Sequence, residues 1–228
     1  MTILRSLVFY AVFYVGTVLL VILALASALL GRRAVRAVAT FWSGFHRVCA
    51  RWILGIRVEV KGAPDVQPAL YAFRHESFFE AIDLPTLLSF PVIFAKKELF
   101  AIPGWGRVAL MYGLLPVSRG EGATALRTMI KGARAMASTG RPLAIFPEGT
   151  RVPHGETAPL QSGFAGLYKL LGLPIVPVSI HTGAVYHRMW KRPGTVTYRF
   201  GEPIEPGLPR EEMERRVAAA IMAGSDAG

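Results

Sequence analysis

The chain reads as an α/β protein: a mostly parallel central sheet of about seven strands flanked by helices, behind an N-terminal membrane-anchoring helical segment. Three features lead to this reading. The first residues form a long charge-free run, short apolar strands alternate with helical patterns from residue 57 onward, and several of those strands are apolar on both faces. Hydrophobic residues make up 52% of the 228 positions and charged residues 18%, a balance that excludes disorder and exceeds the apolar content of ordinary soluble domains.

Residues Ser6 to Gly31 are 26 consecutive positions without a charge. At about 1.5 Å rise per residue, a helix of that length crosses a ~30 Å hydrocarbon layer with tilt to spare. A cleaved signal peptide is the rival reading, because Ala26-Ser27-Ala28 resembles a cleavage site, but the run exceeds the usual ~7–15 apolar residues of such peptides. Arg32, Arg33 and Arg36 follow at once, against Arg5 and the terminal amine in front, so the positive-inside rule puts the following chain in the cytoplasm.

From about 34 to 56, Val35, Val38, Trp42, Phe45, Cys49, Trp52 and Ile56 are spaced 3, 4, 3, 4, 3 and 4 apart, a continuous helical stripe. Arg33, Arg36, Thr40, Arg47 and Arg51 cluster on the other side. The pattern predicts a helix in the headgroup layer, with Trp at interfacial depth and arginines on anionic phosphates; a helix packed on the domain is the alternative. The chain therefore divides into a membrane segment, 1–56, and a globular domain, 57–228.

Predicted strands follow at Arg57–Lys61, Ala69–Phe73, Val92–Ala95, Leu114–Val117, Leu143–Phe146, Ile175–Ile180 and Thr195–Phe200. Between the fourth and fifth lies a helix over about 122–138, with Leu126, Met129, Ile130, Ala133 and Ala137 inward and Arg127, Lys131 and Arg134 outward. A last helix starts near Pro209, carries Glu211 and Glu212 in its first turn, buries Met213, Val217 and Ile221, and stops at Gly224.

Lys and Arg total 26 against 15 Asp and Glu, and the +11 balance favours polyanionic partners. Nucleic acid is disfavoured, since no recognition-helix motif or aromatic-interleaved basic strand accompanies the charge. The single Cys49 excludes an internal disulfide, and no metal-ligand spacing or nucleotide-binding glycine motif is present.

Chemistry concentrates at two strand ends. The strand Ala69–Phe73 runs into Arg74-His75-Glu76-Ser77-Phe78-Phe79-Glu80, which puts His75 at the carboxyl edge of a parallel sheet, where such folds bind ligands. An imidazole suits general-base work at neutral pH, and Glu80 can fix its tautomer. Positions i and i+5 of one straight helix diverge, so the pair meets only if His75 lies in the turn before the helix. The strand Leu143–Phe146 runs into Pro147-Glu148-Gly149-Thr150-Arg151 on the same edge. There Thr150 and Arg151 suit a phosphate, and Glu148 suits Arg151 or a substrate hydroxyl.

These segments resemble the glycerolipid acyltransferase family, in particular its lysophosphatidic acid branch. His75 to Glu80 matches H-x-x-x-x-D with Glu for Asp, and Phe146 to Arg151 is F-P-E-G-T-R in full. Tyr112 to Arg119, preceded by Lys96-Lys97-Glu98-Leu99, resembles the family block that ends in Arg, and Pro174-Ile175-Val176-Pro177-Val178 its proline-bracketed strand. The resemblance spans roughly Val58 to Gly201. Arg74 stands where the family often has Asn or Lys, and Gln161-Ser162-Gly163 where a Lys is common. Arg74 or Lys97 are the candidates to supply that missing cation.

The resemblance implies a membrane enzyme on the cytoplasmic face of a bacterial inner membrane. It would move an acyl group from acyl-coenzyme A or acyl carrier protein to the free hydroxyl of 1-acyl-glycerol-3-phosphate, without a cofactor. His75 and Glu80 would be catalytic, Arg119 and Arg151 would clamp the acceptor phosphate, and Glu148, Gly149 and Thr150 would complete the substrate site. Anionic lipids would be its surroundings. The alternatives are another acceptor, such as a lyso-ornithine lipid, and a catalytically inactive lipid-binding module.

Overall fold

The computed structural model describes residues 1–62, 68–117, 122–186 and 189–224. In chain order the elements are α1 (Thr2–Ser27), α2 (Arg32–Cys49), a π-helical turn (Ala50–Leu54), β1 (Ile56–Lys61), β2 (Leu70–Phe73), α3 (Phe79–Leu87) and β3 (Val92–Lys96). Then come a 3₁₀ turn (Lys97–Ala101), α4 (Trp105–Tyr112), β4 (Leu115–Val117), α5 (Gly122–Ala137), β5 (Leu143–Ile145), α6 (Ser162–Leu171), β6 (Ile175–Ser179), β7 (Gly194–Phe200) and α7 (Arg210–Met222).

The seven strands form one sheet in the order β1-β7-β6-β2-β5-β3-β4. Every pairing is parallel except β6 with β7. All four residues of β2 are buried, with Tyr71 and Phe73 in the core cluster shared with α1, α2 and α3, and Leu70 and Ala72 in the one shared with α5, α6 and α7. Such a strand needs apolar residues on both faces, which is why the pattern reads as a continuous run. The chain leaves β2 through α3 toward β3 on one side and leaves β5 through α6 toward β6 on the other. Adjacent strands whose connections depart in opposite directions open a crevice at their carboxyl ends, and β2 and β5 are such a pair.

Helix α1 is long and apolar enough to cross a membrane by length and composition. One side of it rests on the rest of the chain. Phe9 and Phe13 are buried beside His46, and the Ser6 hydroxyl accepts the backbone N–H of Lys191 at 2.9 Å. Where α1 crosses α2 the fit is so close that a Cβ on Gly16 would fall 2.4 Å from the Phe45 ring. The other side leaves Leu4, Leu7, Val15, Val18, Leu19 and Ile22 exposed.

Helix α2 departs from the predicted amphipathic pattern. Its stripe ends early, because Ile56 already belongs to β1, and Trp52 at the helix end is exposed. The arginines do not all face outward. Arg47 turns inward to the buried Asp83 of α3 in a bidentate pair, Nε at 2.5 Å and Nη2 at 2.8 Å, and Arg36 lies over the Phe90 ring at 3.3 Å. Val35, Ser43, His46 and Cys49 are buried, so much of this helix packs on the domain.

Two consequences for stability follow from this helix. Asp83→Asn leaves Arg47 facing an uncharged partner in a mostly buried position, and denaturant unfolding in detergent is expected to show a loss of about 3 kcal/mol. Burial, aided by Lys191 and Arg47, pushes His46 down to about 3. Its folded value is depressed below the ordinary ~6.5, so stability is present above that pH and lost as pH falls below it. Between pH 7 and 5 the expected loss is about 2 kcal/mol, and paired melts of wild type and His46→Gln check it, since the variant lacks this component.

Candidate active site

The turn between β2 and α3 is built by its own backbone donors. Ser77 Oγ accepts the N–H of Phe79 at 3.0 Å, and Glu80 reaches back to accept the N–H of Ser77 at 2.6 Å, the reciprocal arrangement of a capping box. Glu80 is wholly buried. Its Oε1 also accepts the N–H of Glu76 at 2.6 Å, and its Oε2 accepts the hydroxyls of Ser77 at 2.8 Å and Thr182 at 2.9 Å. A carboxylate met by that many donors works only as an acceptor.

His75 lies in the turn, ahead of α3, with Nδ1 3.0 Å from Glu80 Oε1. Because Glu80 accepts, Nδ1 carries the hydrogen, and in the neutral ring Nε2 is left with a free lone pair. The ring stacks on Phe146 with centroids 4.2 Å apart, and the carbonyl of His75 accepts the N–H of Val152 at 2.8 Å. The tautomer is held from α3, and the ring plane and the backbone from the segment after β5.

The segment after β5 is anchored by charge. Glu148 is 1% exposed, accepts a hydrogen bond from Arg74 Nη1, and accepts the backbone N–H of His75 at 3.0 Å. Burial raises the Glu148 carboxyl, and the His75 amide and the Arg74 charge oppose that rise. The other Arg74 terminal nitrogen donates to the carbonyl of Glu156. Gln161 Nε2 donates to the Glu148 carbonyl at 3.2 Å from the start of α6. Gly149 takes φ of 69°, a conformation other residues avoid, and its N–H goes to the Phe146 carbonyl at 2.9 Å.

A cavity of ≈ 1110 Å³ opens beside this constellation. Its wall includes His75, Phe146, Gly149, Thr150, Arg151 and Lys96, and it extends along apolar side chains of α1, α2, α3, α4 and α5. The Arg151 guanidinium lies 4.0 Å from the Phe78 ring centroid.

Several expected residues thus stand elsewhere than their predicted roles require. Arg74 and Glu148 do not line the cavity; they form a buried pair with each other, so neither offers a free group to a headgroup, and Glu148 does not pair with Arg151. Lys97 is exposed at the start of the 3₁₀ turn, and its neighbour Lys96 faces the cavity instead. Gly149 does line the cavity, but its amide N–H is already donated to the Phe146 carbonyl. Arg119 lies outside the described residues. Ser77 and Thr182 escaped the sequence reading, although S-x-x-E at Ser77–Glu80 is a legible capping signal; Thr182 and Lys96 carry none.

The 1-acyl-sn-glycerol-3-phosphate acyltransferase of Pseudomonas aeruginosa is 28% identical over 174 residues, 75% of this chain and 68% of that protein. The like-named protein of Limnanthes alba is 30% identical over 161 residues, 67% of this chain and 56% of its own length. The crystal structure of the 1-acyl-sn-glycerophosphate (LPA) acyltransferase from Thermotoga maritima superposes with a TM-score of 0.78 at 23% identity, covering 100% of this chain and 97% of that one, and so shares the fold. The family model described as Acyltransferase matches residues 56–181, which takes in the His75 turn, the segment after β5 and the end of β6. With more than half of its length inside that match, the chain belongs to the acyltransferase family.

Proposed function

We propose that this chain is a membrane-bound acyltransferase that moves a fatty acyl group from a thioester donor to the free hydroxyl of 1-acyl-glycerol-3-phosphate, producing phosphatidic acid for phospholipid synthesis. The observation that carries the reading is the His75–Glu80 contact of 3.0 Å on the wall of a large apolar cavity. The acceptor is the one named for the relatives from Pseudomonas aeruginosa and Limnanthes alba.

In this reading Nε2 of His75 takes the proton of the glycerol hydroxyl as its oxygen bonds to the thioester carbonyl carbon. The carbon–sulfur bond then breaks, and the departing thiolate receives the proton back from the imidazolium. Glu80 holds Nδ1–H in place and stabilises the ring while it is charged. The sequence of steps needs neither an acyl-enzyme intermediate nor a cofactor. Arg151 and Thr150 suit the acceptor phosphate, with Lys96 on the same cavity wall and Arg119 the further candidate. Acyl-coenzyme A and acyl carrier protein are both anionic, and the +11 chain suits either.

Residues 1–56 form the membrane-facing part and 57–228 the acyl-transfer domain, held on the cytoplasmic face of the inner membrane among anionic lipids. The exposed apolar side of α1 and the Arg32, Arg33, Arg36 cluster behind it support that placement.

His75→Ala is expected to lower kcat for acyl transfer by about 10²–10⁴-fold in purified, detergent-solubilised protein. Glu80→Gln keeps the shape but can turn an amide N–H toward Nδ1, which favours the wrong tautomer, so kcat is expected to fall about 10²-fold or more with little change in KM. Steady-state kinetics with a thioester donor and 1-acyl-glycerol-3-phosphate check both, and an unchanged rate in His75→Ala sinks the assignment.

A further inference from the structure

Three side chains remote in sequence meet behind the His75 turn: Glu76 on the turn itself, His154 in the segment after β5, and His181 just past β6. One ligand atom from each lies within 4.8 Å of the others. His154 Nδ1 is 3.2 Å from Glu76 Oε2, and His181 Nδ1 is 3.4 Å from Glu76 Oε1. Zinc binds imidazole nitrogen and carboxylate oxygen at ~2.0–2.2 Å, so neighbouring ligand atoms of a tetrahedral site stand about 3.3 Å apart. Both separations lie close to that length.

The hydrogen bonding of His181 says what the centre of this cluster requires. Its Nε2 is 3.1 Å from the Ala223 carbonyl at the end of α7, and a carbonyl only accepts, so Nε2 carries the hydrogen. In a neutral ring Nδ1 is then a lone pair, aimed at a carboxylate oxygen that also has only lone pairs to offer. His154 turns its Nδ1 to the same carboxylate. Neutral His154 meets that carboxylate by carrying its hydrogen on Nδ1, whereas the His181 Nδ1 and Glu76 remain two acceptors aimed at one another and call for positive charge between them, which one divalent ion supplies in place of a proton.

The supporting groups orient the carboxylate. Gly183 donates its N–H to Glu76 Oε2 at 2.8 Å, and Arg74 Nε is 3.5 Å from Oε1. Arg74 is itself paired with Glu148, and the Arg199 charge also acts on His181. The Glu76 side chain is 1% exposed, His181 12% and His154 33%. The cluster is therefore buried on its carboxylate side and open at His154, where an ion enters and a water completes the shell. Two imidazoles and one carboxylate suit zinc, whereas Mg²⁺ and Ca²⁺ prefer oxygen throughout.

We propose that Glu76, His154 and His181 bind one Zn²⁺ ion, with water as the fourth ligand, at a site distinct from the His75–Glu80 pair. The ion would tie the segment around His154 and the end of α7 to the turn that carries His75, with the His181–Ala223 bond as its outer support.

The test uses the full chain without an affinity tag, in detergent, stripped with chelator and desalted before ZnCl₂ or MgCl₂ is added. Elemental analysis after a second desalting is expected to find about one zinc per chain. With zinc at about 100 times Kd, Tm is expected to rise about 5–10 °C over the stripped protein, and magnesium is expected to leave it unmoved. His154→Ala removes the exposed ligand, and each variant is compared with its own stripped form, so a change in baseline stability does not enter. Loss of the retained ion and of the shift in that variant, and in Glu76→Gln, supports the site. A wild-type chain that retains no zinc, a shift of equal size in His154→Ala, or magnesium acting as well as zinc overturns it.

Discussion

A carboxylate sealed from water must be met by donors, and at Glu80 that requirement organises the surrounding chain. Backbone amides of Glu76 and Ser77, the hydroxyls of Ser77 and Thr182 and the His75 ring all converge on it. Those partners come from the end of β2, the start of α3 and the exit of β6. Satisfying one buried charge thus fixes the turn, starts the helix and joins two strand ends, and the imidazole is oriented as part of the same arrangement.

The Arg74–Glu148 pair plays the matching part on the other flank. Glu148 grips the His75 amide while Arg74 reaches the carbonyl of Glu156, so the end of β2 and the segment after β5 hold each other. This changes how F-P-E-G-T-R reads. The Glu in it is internal bracing and the only one of the six that does not line the cavity, the Gly makes the reversal, and Thr150 and Arg151 bring polar groups to the wall.

Periodicity made the fold legible. Short strands apolar on both faces, such as Leu70–Phe73 and Ile175–Ser179, have few alternatives to a covered parallel sheet, and all seven predicted strands are present within a residue or two of the expected bounds. The same reasoning placed His75 in a turn ahead of its helix, since i and i+5 cannot meet otherwise. What periodicity does not carry is the partner of a charged group. Arg47 belongs by spacing to an outward basic face, yet Asp83, 36 residues away, draws it inward. Arg74 reads as a ligand for phosphate because nothing local reveals that a carboxylate from the segment after β5 neutralises it. The Glu76, His154 and His181 group was hidden for the same reason: its members are contributed by three separate elements, and no spacing rule links them.

The chamber beside His75 is walled in part by Thr17, Leu20, Val21 and Ala24 of the first helix. In the proposed reading, attachment and reaction space are consequently one piece of architecture. Under the proposed function, clipping off the leading hydrophobic segment to obtain a water-soluble enzyme would also remove part of this wall, so release from lipid and loss of the enclosed volume would come together.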